Sequence, residues 1–106
     1  MLRVSPHEYL EPILVGEDEQ YTLDCVDQLD GDTINTVTIV YTDSTNTVVT
    51  TNFAKGNSNA DGIITFGLTG YAVGTYTITI TIKCNEKLPD TTTVREFIIK
   101  LYLTVE

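Results

Sequence analysis

The groups best able to do chemistry in this 106-residue chain are its carboxylates, two cysteines and one histidine. Asp24, Asp27, Asp30 and Asp32 lie close together. Carboxylate oxygens converging on a loop are the hard ligands that Ca²⁺ takes. The spacing is not that of an EF-hand, because the twelfth position counted from Asp30 is Tyr41 and not Glu. Asp also starts and caps turns, and turn formation accounts for these residues without an ion. The expectation is therefore no metal and no cofactor, with Asp27, Asp30 and Asp32 as the residues a Ca²⁺ would meet if the loop converged. Asn57, Asn59 and Asp61 form a second oxygen-rich stretch.

Cys25 and Cys84 end two alternating stretches on their inward-facing sets, so they could meet across a core as two small buried thiols. Zinc takes four ligands, and the two cysteines with His7 supply three. Ser5, Ser44 and Ser58 have no His–Asp partner in prospect, since the one histidine lies in the N-terminal stretch. Neither a Gly-rich phosphate cradle nor a basic aromatic patch occurs. These absences point away from an enzyme.

The elements that would position such residues are strands. In Gly74–Cys84, Tyr76, Ile78, Ile80, Ile82 and Cys84 alternate with Thr75, Thr77, Thr79, Thr81 and Lys83. Strict period-two alternation puts one face in a core and the other in water. Ile and Thr are β-branched and suit a pleated surface. The threonine ladder resembles surfaces that bind ice or glycan, but its simpler reading is the polar face of a strand. Further strands are expected at Gln20–Cys25, Ile34–Tyr41, Thr47–Phe53, Ile63–Leu68 and from about Thr93 to Val105. VDQLDGD and DSTN (Asp43–Asn46) read as turns, and Lys55–Gly62 reads as a loop. No stretch sustains a 3.6-residue period.

This pattern predicts an all-β, immunoglobulin-like β-sandwich of about 6–7 antiparallel strands over residues 17–106. Tyr76 sits where such sandwiches place the tyrosine of a tyrosine corner. Ile78 occupies the position where antibody domains carry their second core cysteine. Residues 1–16 read as an extended N-terminal arm, with Pro6 and Pro12 excluding a long helix. Its apolar residues Tyr9, Leu10, Ile13, Leu14 and Val15 are expected to lie on a neighbouring subunit or back over the same domain. Removing residues 1–15 is expected to leave a folded domain that fails to assemble. On the last strand, Ile98 and Tyr102 belong to the outward set and suit an interface.

The net charge of −9 argues against nucleic acid and anionic membrane surfaces as partners. No apolar run approaches the ~20 residues of a membrane helix, and MLRVSPHEYLEPILVG does not read as a signal peptide. Tyr9, Tyr71 and Tyr102 are scattered and Trp is absent, which disfavours a carbohydrate- or cell-surface-binding module.

Residues 17–106 resemble a family of small immunoglobulin-like proteins of tailed-bacteriophage virions, described as fibre–tail adaptors or small head/tail structural proteins. The resemblance is carried by YTLD (Tyr21–Asp24) ahead of LDGDTI (Leu29–Ile34), and by the alternating strand at Val37–Ile39. It continues in ITFGLTGYAVGTYTIT (Ile64–Thr79) and in REFIIKL (Arg95–Leu101). The chain departs from the family in lacking Trp, in running on through YLTVE, and in its N-terminal stretch. The resemblance implies a non-enzymatic virion component assembled in the host cytoplasm. It would work by contact with other virion proteins of tail, fibre or capsid, as a homo-oligomer in the particle. A capsid decoration protein is the alternative.

Overall fold

The computed structural model describes residues 2–4 by their backbone and residues 8–106 in full; Met1, Ser5, Pro6 and His7 lie outside the described residues. In chain order the elements are β1 (Leu2–Val4), β2 (Asp18–Asp24), α1 (Val26–Leu29), β3 (Ile34–Asp43) and α2 (Thr50–Phe53). They continue with β4 (Ala54–Ala60), β5 (Ile63–Thr69), β6 (Gly74–Lys87) and β7 (Val94–Val105). Two sheets result, ordered β1-β2-β5-β4 and β3-β6-β7. Every named pair is antiparallel except β1 with β2, which is parallel. The order β2-β5-β4 over β3-β6-β7 is that of an immunoglobulin-like sandwich. The chain is an all-β protein of this class.

Alternation builds the core. Tyr21 and Leu23 of β2 and Ile64, Phe66 and Leu68 of β5 are buried. Facing them are Ile78, Ile80 and Ile82 of β6 and Ile99, Leu101 and Leu103 of β7, also buried. β6 pairs with β3 on one side and β7 on the other, so its inward face has no open flank. The tyrosine corner is present: the Tyr76 hydroxyl donates to the Ala72 carbonyl at 2.8 Å. Ile78, at the antibody cysteine position, is fully buried instead.

Two expectations for the middle of the chain are corrected. Thr47–Phe53 is not a strand: a single bridge joins Thr42 to Val48, and one turn of helix, α2, follows. The Asp43 carboxylate makes the preceding turn by accepting from the Thr45 and Thr47 amides at 2.9 and 3.0 Å. The Thr50 hydroxyl then accepts from the Tyr41 amide at 3.0 Å, taking a backbone donor that an edge ladder would otherwise have used. The helical turn delivers Phe53 into an aromatic cluster, 4.5 Å from Tyr76 and 5.7 Å from Tyr41 between ring centroids. The strand lies instead at β4, inside the stretch read as a loop. β4 is exposed along its whole length, so it has no apolar alternation to read. Its signal is Asp61–Gly62, both at positive φ, which closes a two-residue hairpin into β5. VDQL, read as turn, is the single helical turn α1.

The N-terminal arm takes the second of its two expected placements, back over its own domain, and what is corrected is the expectation that it can be removed without harm to the fold. Residues 8–16 are integral to the sandwich. Tyr102 N–H donates to the Glu8 carbonyl at 3.1 Å, and Leu10 N–H to the Tyr102 carbonyl at 2.8 Å. Ile13 N–H reaches the Thr104 carbonyl at 3.0 Å and Val15 N–H the Glu106 carbonyl at 3.1 Å. The segment thus runs parallel to β7 and closes its outer edge. Leu10 and Ile13 are only 7% and 4% exposed, within the core of their own chain. They are unavailable to a neighbour, so removal of residues 1–15 would open the core rather than release a tail. Gly70 shows how closely the segment docks: a Cβ there would stand 2.5 Å from the Leu14 carbonyl oxygen. Parallel strands need a crossover of about a dozen residues. Residues 8–16, which lie between β1 and β2, run along the other sheet.

Two outcomes are expected in urea unfolding. Ile13→Ala should cost about 2–4 kcal/mol, as for a buried aliphatic side chain. Leu14→Ala should stay within about 0.5 kcal/mol. Equal small effects would show that the segment is not part of the fold. The buried Tyr21 hydroxyl has no hydrogen-bond partner among the described residues, so Tyr21→Phe should raise stability by about 1 kcal/mol.

Candidate functional site

The acidic stretch at the end of the sandwich around α1 is organised by Arg95. Arg95 Nη1 donates to the Leu29 carbonyl at 2.9 Å, and Nη2 donates to the Gln28 carbonyl. These are carbonyls that a one-turn helix leaves without intrahelical partners. The same guanidinium lies 3.6 Å from the Asp32 carboxylate and over the Phe97 ring. Asp32 also accepts from the Thr33 and Glu86 amides at 2.7 and 3.1 Å. Asp24 accepts from the Val26 amide, and Asp30 is the left-handed cap of α1. Among the described residues, no group of three or more His, Cys, Asp or Glu side chains is placed to hold a metal ion. Asp27, Asp30 and Asp32 therefore do not form the convergent carboxylate cage that Ca²⁺ would need.

A 310 Å³ cleft beside α1 is lined by Val26, Leu29, Asp32, Asn59 and Asp61. Cys25 and Cys84 are buried and unbonded. Burial, then the charge of Asp24, pushes the Cys25 thiol up to about 11. Cys84 is raised by desolvation and by Asp32, although Arg95 opposes the shift. Such thiols are poor nucleophiles at neutral pH.

The expected contact residues separate into three groups. Leu10 and Ile13 are core, as described above. Tyr9, 82% exposed, stacks on Tyr102 with ring centroids 4.8 Å apart. This joins two of the aromatics that are scattered in sequence. With Ile98 they mark the outer face of β3-β6-β7. Leu14 and Val15 are exposed and belong to the other end of the molecule from α1. That end was missed in the sequence. It carries exposed Val48 beside β3, and Tyr71 and Val73 in the turn before β6. Gly16 N–H donates to the Gly70 carbonyl at 2.7 Å, which brings the end of the N-terminal segment to that turn. Apolar residues inside a turn, as in GYAVG, were the available signal. Carboxylates of Glu17, Asp18, Asp43 and Glu106 belong to the same end, with Lys55 in a groove beside Asp18.

No protein-family model matches the chain, and no curated protein matches it. Among solved structures, the solution structure of amebosin is similar over 95% of this chain and 99% of that chain. The identity is 18% and the TM-score 0.42, a likeness that carries no argument about task.

The pH dependence follows from three aspartates. Desolvation disfavours the Asp32 charge, but the Thr33 and Glu86 amides and Arg95 outweigh it and hold the carboxyl below its ordinary value. Hydrogen bonds from Thr45 and Thr47 lower Asp43, and those from Thr93 and Thr92 lower Asp90. A folded pKa below the unfolded value near 3.9 contributes stability that is complete above that value and is lost as pH falls through the folded value. The melting temperature should therefore drop as the solution is taken below about pH 4. Asp32→Asn should melt lower at neutral pH and show a shallower acid limb; an unchanged acid limb would remove Asp32 from this account.

Proposed function

We propose that the protein is a non-enzymatic structural component of a tailed-bacteriophage virion, a fibre–tail adaptor or a component of the head–tail region, acting through protein–protein contacts. The observation that carries the contact reading is the apolar end formed by Leu14, Val15, Val48, Tyr71 and Val73, the last 72% exposed. Exposed apolar residues gathered at one end, with polar surroundings, mark interaction sites. The virion setting rests on the sequence resemblance at Tyr21–Asp24, Leu29–Ile34, Ile64–Thr79 and Arg95–Leu101.

The rim chemistry describes the partner. Glu17, Asp18, Asp43 and Glu106 call for an apolar surface flanked by Lys or Arg. They disfavour nucleic acid and anionic lipid. A ring of such contacts would gain from multivalency, so each one can be weak. The stacked Tyr9–Tyr102 pair favours a second reading, a carbohydrate platform, since sugars pack on exposed ring faces. Calorimetric titration with oligosaccharides tests it, and Tyr9→Ala should abolish any heat that arises from this pair.

The main reading is tested on particles. A virus carrying Tyr71→Asp with Val73→Asp should yield particles that lack the protein, while the isolated variant keeps its fold by circular dichroism. Full incorporation of that variant would overturn the contact assignment. Copy number then separates the roles: about six or twelve per particle for an adaptor on a symmetric ring, against hundreds for a capsid decoration protein. Absence of the unaltered protein from purified particles would overturn the virion reading itself.

A further inference from the structure

We infer that the free edge of β3 takes up an extended segment of another protein as an added antiparallel strand, with a lysine or arginine of that segment entering the cleft beside α1. The site lies apart from the apolar end, so the inference stands or falls independently of the contact reading above. The first observation is an open row of backbone groups. In the sheet β3-β6-β7, residues 8–16 cover one edge, and β3 is the other. Tyr41 shows which way the backbone of β3 points. Its N–H donates to the Thr50 hydroxyl at 3.0 Å and its carbonyl accepts from the Val49 amide at 2.8 Å, both on the side away from β6. Backbone direction repeats every second residue along an antiparallel strand. Val37 and Ile39 therefore also turn their N–H and C=O groups to the free edge, where no partner meets them among the described residues.

The second observation is the lack of edge protection. Ile34–Tyr41 holds neither a charged residue nor a proline. β4, an edge of the other sheet, carries Lys55 and a register shift between Ala54 and Asn57, devices that discourage strand pairing. The irregularity of β3, between Ile34 and Thr36, lies outside the open pair.

The third observation sets the partner's chemistry. The 310 Å³ cleft joins the start of β3, α1 and the end of β4. Val26, Leu29 and Ile34 give it apolar walls, while Asp32, Asn59 and Asp61 give it oxygens. Asp32 already faces Arg95, so Asp61 is the carboxylate left to meet a cation. Lysine and arginine suit such a cleft, with an apolar stem and a cationic head. Strand addition takes its affinity from main-chain bonds and its specificity from pockets of this kind. A second copy does not fit: setting its Ile39 opposite Val37 brings its Asp43 to Thr33, beside Asp32 and Asp61, where like charges oppose.

Amide hydrogen exchange, read by NMR on the full chain, is the first test. Val37 and Ile39 should exchange fast, and Thr38 and Val40, bonded to β6, slowly. The probe is a blocked pentapeptide, valine–threonine–valine–threonine–lysine, set against a twin that ends in norleucine. The lysine peptide should slow exchange at Val37 and Ile39 and bind about fivefold more tightly than its twin. Asp61→Asn, which keeps a residue suited to positive φ, should remove that preference. Val37→Pro deletes an edge-facing donor and leaves the ladder to β6; with native circular dichroism, it should weaken both peptides about tenfold. Val73→Asp, at the apolar end, should bind like the unaltered chain. Slow exchange at Val37 and Ile39 in the free chain would overturn the proposal. So would no binding at millimolar peptide, equal affinity of the two peptides, undiminished binding in folded Val37→Pro, or loss of binding in Val73→Asp. Self-association that Val37→Pro abolishes would give the edge to a second copy and overturn it as well. If Val37→Pro does not fold, the exchange pattern and Asp61→Asn decide.

Discussion

The structure depends on the burial of one face of β6 between two pairing partners. Ile78, Ile80 and Ile82 face β2 and β5 while their backbones are held by β3 and β7. A strand in that position cannot slip by one residue, because a slip would exchange every Ile for a Thr. The register of both neighbours follows, and the tyrosine corner anchors the entry to β6 by tying Tyr76 to Ala72. With neither a core disulfide nor a tryptophan, packing and this hydrogen bond do what the cysteine pin does in antibody domains.

Closing the sandwich is the second constraint. β7 would present an open edge, and residues 8–16 cover it with backbone hydrogen bonds while Leu10 and Ile13 complete the core. The same placement leaves Leu14 and Val15 at the surface: Leu14 points away from the core that Ile13 enters, and Val15 belongs to the turn at Gly16. Surface and core are therefore set by one segment. Its apolar residues divide between holding the domain together and presenting an apolar end.

Charge divides the surface further. Asp32, Asp43 and Asp90 are held in turns at the ends of the sandwich, where Asp suits the backbone. The long strands β6 and β7 carry threonine and few charges on their outer face. Arg95 serves the interior of the acidic end, joining β7 to the carbonyls of α1 and to Asp32.

Amphipathic alternation was legible in the sequence alone, and with it the strands β2, β3, β5, β6 and β7, the sandwich class and the tyrosine corner. Each of these writes its burial into every second residue, a local signal. β4 was not legible, because an edge strand exposed on both faces has no apolar period. α2 was not legible either: the Thr50 hydroxyl replaces a ladder bond, and that exchange exists only once Tyr41 is nearby. The fate of Leu10 and Ile13 was open, since an apolar extended segment is satisfied equally by its own core or by a neighbour's. Only the tertiary structure decided it, because the empty edge of β7 lies within reach of the same chain. It also decided that Leu14, Val15, Val48, Tyr71 and Val73 share one end, since contact between distant segments depends on where the turns bring them and not on any local pattern.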